Sequence, residues 1–152
     1  MKFWDSSALV PLLVQEANSA RLSELYLRED GILVWWGSDV ECASAVARLE
    51  RTNQLSPRAA TLAFQRLDAL AHSWHRIEPA ETLRSTAKRY LRVHPLRAAD
   101  SLQLAAAFLA SEGQPSTLGF VCFDERLGTA AQREGFLLVD LSISSDDLPE
   151  VE

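Results

Sequence analysis

The chain has 152 residues, of which 47% are hydrophobic and 24% charged, and its formal net charge at pH 7 is −6. These values are typical of one globular domain that buries a core without metal or disulfide staples, and they exclude a collagen-like or low-complexity chain. No apolar run approaches the ~20 residues that a membrane span requires, and no charged-then-apolar leader opens the sequence. Cys42 and Cys122 have no metal-like spacing. We therefore expect a soluble, cytoplasmic protein with reduced cysteines and no membrane partner.

The acidic balance does not exclude a nucleic-acid ligand, because the charge is unevenly distributed. Segment 142–152 contains four acids and no basic residue, which leaves a net charge of −2 on residues 1–141. Divalent cations bound among the remaining acids would make that part of the chain positive. We predict one domain over residues 1–141 and an acidic tail over 142–152, which either shields a groove or is a disordered end.

In chain order, short apolar runs alternate with segments of helical periodicity. The predicted strands are residues 2–4, 32–36, 76–78, 118–123 and 136–141. The predicted helices begin near residues 7, 18, 38, 57, 79, 98 and 125. Ser38 and Glu41 match the capping box S-x-x-E. This alternation predicts a three-layer α/β/α sandwich with a mostly parallel central sheet, in which the 76–78 strand lies at an edge.

Four acids stand at the junctions between these apolar runs and helices: Asp5, Glu41, Asp100 and Asp124. In α/β proteins the carboxyl ends of parallel strands are where ligands bind. Mg²⁺ and Mn²⁺ prefer oxygen ligands, and two such ions activate a water and stabilise the leaving oxygen in phosphodiester cleavage. Each acid also has a purely structural alternative: Asp5 and Asp124 as helix N-caps, Glu41 as the capping-box acceptor. Asp100 is hardest to explain that way, because it interrupts an otherwise apolar helix.

Four segments in the same order resemble the signature blocks of PIN-domain ribonucleases, and among these the toxins of VapBC toxin–antitoxin pairs. They are the segments FWDSSAL (3–9), SDVE (38–41), LRAADSL (96–102) and FVCFDERL (120–127). The resemblance extends over about residues 1–140. One departure is Cys122, because family members often have Ser or Thr two residues before the last acid.

The resemblance implies a PIN-like fold and Mg²⁺- or Mn²⁺-dependent endonucleolytic cleavage of RNA. Asp5 and Asp100 would be the principal metal ligands, and Glu41 and Asp124 would complete the acidic catalytic pocket. It also implies a homodimer that is silenced by a cognate VapB-like antitoxin, which wraps the groove and blocks the site. Three serines beside the acids are candidate supporting residues that are equally well explained as helix caps: Ser6, Ser7 and Ser101.

A basic stretch before Asp100 is the candidate RNA-binding ridge. Its members are Arg84, Lys88, Arg92 and Arg97. The first three share one helix face, opposite Leu83, Ala87, Tyr90 and Leu91, and phosphate contacts from that face would make RNA binding salt-dependent. The alternative is an ordinary solvated helix face. Of Trp35 and Trp36, strand alternation predicts one core residue, and the other would pack in a dimer interface or stack on a base.

Two other functions are compatible with acids at strand ends. A phosphoacceptor receiver-like domain needs a lysine late in the chain, and no lysine follows Lys88. A non-catalytic PIN-like module that binds RNA or a partner remains the main alternative to the nuclease. Substitution of Asp5 or Asp100 separates binding from cleavage.

Overall fold

The computed structural model describes residues 1–141, and in that range the chain folds into an α/β domain. The strands are β1 (Lys2–Trp4), β2 (Ile32–Trp35), β3 (His75–Ile77), β4 (Gly119–Val121) and β5 (Leu137–Leu138). The helices are α1 (Ser6–Leu13), α2 (Ser19–Leu27), α3 (Ser38–Arg51), α4 (Pro57–Ala71), α5 (Glu81–Val93), α6 (Ala98–Ala110) and α7 (Glu125–Arg133). The predicted acidic tail, 142–152, lies outside the described residues. No helix in residues 1–141 is long and apolar enough to cross a membrane.

The central sheet has the strand order β3-β2-β1-β4-β5, and every pair in it is parallel. β1 is the middle strand, with Phe3 opposite Leu33 of β2 and Phe120 of β4. The third strand lies at an edge, as the sequence predicts, and begins at His75. Parallel strands joined by helices place all their carboxyl ends at one edge of the sheet.

Each face of the sheet is covered by its own layer of helices. Because side chains alternate along a strand, Trp4 and Val121 face the cluster that contains α1 to α4. Phe3 and Phe120 point the other way and pack with α5, α6 and α7, their rings stacked at 5.4 Å. This arrangement confirms the predicted three-layer α/β/α sandwich with a parallel central sheet.

Several predicted elements are longer than the elements that form. β4 and β5 contain three and two residues, whereas the apolar runs predicted strands over 118–123 and 136–141. α5 begins at Glu81 and not at Pro79. Apolar runs continue beyond the paired residues because the loops at the sheet edges also bury side chains, as Leu118 and Phe136 do.

The tryptophan pair divides as strand alternation predicts. Trp35 is 8% exposed and belongs to the core, whereas Trp36 is 51% exposed. On α5, Leu83, Ala87 and Tyr90 form the buried face as predicted. The prediction is wrong for Leu91, which is 42% exposed. Only the i, i+4, i+7 positions of this helix reach the core cluster shared with α6, and Leu91 lies beside that narrow stripe.

The capping-box prediction for Ser38 and Glu41 is wrong. The N-cap of α3 is Gly37, and no side chain caps this helix end. The Glu41 carboxylate accepts hydrogen bonds from two other elements, and the Ser38 hydroxyl accepts one from Gln103. Partners across the fold therefore compete successfully with the local backbone for both side chains. Glu41 is thereby turned towards the region where Asp5 and Asp100 lie.

Candidate active site

Asp5 and Asp124 leave the same edge of the sheet, because they follow neighbouring parallel strands. Asp5 comes directly after β1, and its backbone N–H donates to the carbonyl of Val121, the last residue of β4, at 3.0 Å. Asp124 is three residues further along the chain. The register of the central strand therefore sets the distance between the first and the last acid.

Asp5 is the N-cap of α1, as one of its two interpretations predicted. Its Oδ2 accepts from the backbone N–H of Ser7 at 3.0 Å, and the Sγ of Cys122 lies 3.8 Å from the same oxygen. The side chain is nevertheless 3% exposed, far more buried than an ordinary helix cap. The pKa of Asp5 is raised to about 6, because burial and the charge of Glu41 together outweigh the hydrogen bonds from Ser7, which lower it. Burying a charged carboxylate costs free energy, which indicates that Asp5 has a role besides capping α1.

Glu41 is the junction between three elements. Its Oε2 accepts from Ser6 Oγ of α1 at 2.7 Å and from Gln103 Nε2 of α6 at 3.0 Å. Burial raises its pKa, the two hydrogen bonds lower it, and the charge of Asp100 raises it. Glu41 is therefore close enough to interact electrostatically with both Asp5 and Asp100.

Asp100 lies in the first turn of α6, where its Oδ2 accepts from the backbone N–H of Arg97 at 3.2 Å. Burial raises its pKa, and so does the charge of Asp124, whereas the guanidinium groups of Arg97 and Arg126 lower it. The side chain is partly exposed and lines an open cleft. Asp100 therefore interacts electrostatically both with another acid, Asp124, and with the basic side chains of Arg97 and Arg126.

Asp124 caps α7 through its Oδ1, which accepts from the N–H of Leu127 at 2.8 Å. Its loop is tied to α1, because Ser7 Oγ accepts from the N–H groups of Phe123 at 2.9 Å and Asp124 at 3.3 Å. Ser7 therefore fixes the first and the last acid relative to each other. Its own N–H bonds Asp5, and its hydroxyl bonds the backbone of Asp124.

The acids form a continuous electrostatic series that runs from the buried Asp5 through Glu41 and Asp100 to the exposed Asp124. The open end of the series is a cleft of about 420 Å³. It is lined by Arg97, Asp100, Asp124, Glu125 and Arg126. Positive and negative side chains meet in this cleft, as a site for a phosphate held next to a cation requires.

The donor set suits a hard divalent cation. All four side chains offer carboxylate oxygens. The pKa values of Asp5, Glu41 and Asp100 are raised mainly by burial and secondarily by a neighbouring carboxylate, and a positive ion among the acids would offset both effects. Within residues 1–141, however, no three His, Cys, Asp or Glu side chains are grouped closely enough to form a finished metal site. Asp5, Asp100 and Asp124 each turn an oxygen to a backbone N–H. The residue types fit Mg²⁺ or Mn²⁺.

The other predicted site residues occupy different surroundings. Ser6 and Ser7 bond the acids as described, whereas Ser101 is buried and donates to the carbonyl of Ala98 in its own helix at 2.8 Å. Arg97 lines the cleft. Arg84 pairs with Glu81 on the exposed surface of α5, on which Lys88 and Arg92 also lie.

Sequence reasoning missed Gln103 and Arg126. Gln103 is 1% exposed and bridges Ser38 and Glu41. The available signal was a single amide in an otherwise apolar helical run, because a buried polar side chain needs partners. Arg126 lies two residues after Asp124, in a helical first turn that favours acids, where a basic residue is unexpected.

Two solved structures share this fold. The structure described as FitAcB from Neisseria gonorrhoeae matches with a TM-score of 0.64 and 15% identity, over 93% of this chain and 98% of that one. The structure described as FitAB bound to an IR36 DNA fragment matches with a TM-score of 0.63 and 16% identity, over 93% of this chain and 95% of that one. At such low identity the likeness shows a common fold.

No protein-family model and no curated protein matches the sequence. The shared fold extends over nearly the whole length of both neighbours.

Proposed function

We propose that the protein is a Mg²⁺- or Mn²⁺-dependent endoribonuclease. The observation that carries this proposal is the electrostatic series of four carboxylates from four separate places in the chain, two of which, Asp100 and Asp124, line the open cleft. Carboxylates that raise one another's pKa are an arrangement that a fold retains when a cation compensates them. The resemblance of the sequence to PIN-domain ribonucleases points to RNA as the substrate.

In this function, Asp5 and Asp100 would bind the cation, with Glu41 and Asp124 completing the pocket. A bound ion supplies the positive charge that lowers the pKa of a water and offsets the charge of the phosphodiester. The Ser6 hydroxyl and the Gln103 amide orient Glu41 by donating to the same carboxylate oxygen. The other oxygen of Glu41 receives neither of these two hydrogen bonds and would face the ion.

The phosphate would be held by groups on the basic side of the cleft. Arg97 and Arg126 present guanidinium groups next to Asp100, where they lower its pKa. The N-terminus of α6 adds backbone N–H groups that suit an anion. The cation held by the acids and the guanidinium groups of Arg97 and Arg126 would both contact the phosphate, which would orient it for attack by water.

We further propose that the protein is the toxin of a type II toxin–antitoxin pair and acts as a homodimer. Two observations support this: the resemblance to VapC toxins, and the fold shared with the FitAcB structure and with FitAB, a complex with a DNA fragment. A cognate VapB-like antitoxin would cover the groove. A small DNA-binding protein encoded next to this chain would support the assignment as a toxin, and this is quickly checked.

The decisive experiment compares the wild-type chain with Asp5→Asn and Asp100→Asn on a mixed single-stranded RNA. Asp68→Asn is the matched control, because Asp68 is exposed on α4 and lies outside the cleft. We expect cleavage by the wild type and by the control with Mg²⁺ or Mn²⁺. We expect a loss of at least ~100-fold in both site variants, and none of the proteins should cleave in EDTA.

Three results would contradict the nuclease proposal. Cleavage that survives both Asn substitutions would show that the two carboxylates are not needed for the reaction. Undiminished cleavage in EDTA would show that the cation is not needed. RNA binding without cleavage in any divalent cation would establish the alternative, a non-catalytic RNA-binding module. Circular dichroism of each variant shows whether a loss of activity reflects unfolding.

A further inference from the structure

A second cavity, of about 300 Å³, adjoins the acidic cleft. Glu125 and Arg126 line both, so the two cavities lie side by side at the start of α7. The second cavity extends away from the four acids towards the end of α7, where Arg133 lies, and towards His94, which ends α5. A ligand that enters the acidic cleft and is longer than one phosphate group can continue into it.

The floor of this second cavity is basic and polar. Arg126, Thr129 and Arg133 fall at positions i, i+3 and i+7 of α7, which places them on one face of the helix. Neither arginine forms an ion pair with another residue of the described range 1–141. Glu125 is the single carboxylate among the lining residues. Two guanidinium groups and a hydroxyl outweigh it as partners for an anion.

His94 explains why Arg133 is not neutralised by the adjacent acid. The Nε2 of His94 lies 2.6 Å from Glu134 Oε1, and the imidazole is 3% exposed. The carboxylate next to Arg133 in the sequence is therefore held against α5. The Nδ1 of His94 is buried and has no hydrogen-bond partner among residues 1–141. The imidazole beside the cavity is thus a buried polar group held by Glu134, and neither Arg126 nor Arg133 is part of an ion pair within residues 1–141.

We propose that this second cavity is a phosphate subsite for single-stranded RNA, and that it takes the backbone phosphate neighbouring the one held at the acids. The subsite depends on the proposed function for its substrate. Arg126 stands between the two cavities and would contact the strand in both, and Arg133 and the Thr129 hydroxyl would hold the neighbouring phosphate. Contacts of this kind position the strand without reading its bases. The proposed basic path thereby runs along α7, and the ridge of α5 stays a separate prediction.

The test measures binding of the full chain to a fluorescein-labelled ten-nucleotide single-stranded RNA, over a range of KCl concentrations in EDTA. Arg133→Gln removes the charge that is furthest from the acids, and Arg133→Lys keeps it. Arg58→Gln is the matched control, because Arg58 is exposed on α4. For Arg133→Gln we expect about 3- to 10-fold weaker binding at ~100 mM salt and a salt slope smaller by about 0.7. Arg133→Lys should keep the slope, and Arg58→Gln should behave as wild type.

Cleavage of the same RNA with Mg²⁺ separates failure of the subsite from failure of the nuclease proposal. If the wild type cleaves and Arg133→Gln binds as Arg58→Gln does, the subsite is overturned and the nuclease stands. If neither the wild type nor any variant cleaves RNA, but Arg133→Gln still lowers RNA affinity and the salt slope, the subsite is supported and the nuclease proposal is contradicted. A polyglutamate peptide whose binding depends on Arg133, while RNA binding does not, would assign the cavity to an acidic protein partner and overturn the RNA subsite.

Discussion

Gln103 Nε2 donates a hydrogen bond to Glu41 Oε2 at 3.0 Å, and this bond joins two helices whose residues are 62 positions apart in the sequence. The same nitrogen donates to Ser38 Oγ at 3.1 Å, so one amide fixes the first turn of α3 at two points. Gln103 is also three residues after Asp100 on α6. The amide therefore sets the position of Glu41 relative to Asp100, and both interact electrostatically.

Replacing Gln103 with Leu tests this positioning role. We expect a decrease of about 10- to 100-fold in Mg²⁺ affinity or in RNA cleavage, which is the usual effect of removing a hydrogen bond to a metal-binding carboxylate. The free energy of unfolding should fall by about 1–3 kcal/mol, because the buried Ser38 hydroxyl loses a partner. Isothermal titration with Mg²⁺ and urea unfolding measure the two effects.

The matched control for Gln103 is Gln65→Leu, since Gln65 is exposed on α4. It should leave metal affinity unchanged. A Gln103→Leu variant that binds Mg²⁺ as tightly as the wild type would show that Glu41 does not need this amide.

The raised pKa of Asp5 predicts that the metal-free protein loses stability as pH rises. The carboxyl has a pKa of about 6 in the folded state against 3.8 when unperturbed, mainly because it is buried. The folded state therefore binds more protons than the unfolded state between these values. Stability that is present below pH ~4 should be lost by pH ~6, by up to about 3 kcal/mol. Urea unfolding in EDTA at a series of pH values measures the change.

Asp5→Asn should remove most of that pH dependence and make the metal-free protein more stable than the wild type at pH 8. The amide oxygen retains the cap to Ser7 and carries no charge to bury. If the stability of the wild type in EDTA stays constant or rises between pH 4 and 6, the charged, buried Asp5 carboxylate does not destabilise the fold. Asp68→Asn, on the surface of α4, should leave the pH profile unchanged.

The fold was largely predictable from sequence, because strand alternation and helical periodicity are local signals. The split of Trp35 and Trp36 followed from alternation alone. The capping box at Ser38 failed because its two side chains are engaged by Ser6 and Gln103, and nothing local reveals partners that far away in the sequence. Whether Arg97 or Arg84 reaches the cleft depends likewise on helix orientation.

Addition of Mg²⁺ or Mn²⁺ should raise the thermal stability of the wild type. A cation that binds the native acids offsets their repulsion, and each tenfold excess over the dissociation constant adds about 1.4 kcal/mol. Differential scanning fluorimetry at millimolar metal, with KCl at matched ionic strength as the control, measures the shift. Asp100→Asn should reduce the shift, and a melting temperature that does not respond to either metal would contradict a cation site.

The buried pair of His94 and Glu134 should matter more to stability than an ion pair on the surface of α5. His94 is almost fully buried, and Glu134→Ala leaves both of its ring nitrogens without a described partner, which costs about 1–3 kcal/mol. The matched control is Glu81→Ala. The pair of Glu81 with Arg84 is exposed, so its loss should cost at most about 0.5 kcal/mol. Urea unfolding of both variants measures the difference. Equal losses would mean that the bond between His94 and Glu134, which joins the ends of α5 and α7, contributes no more to stability than an exposed pair does.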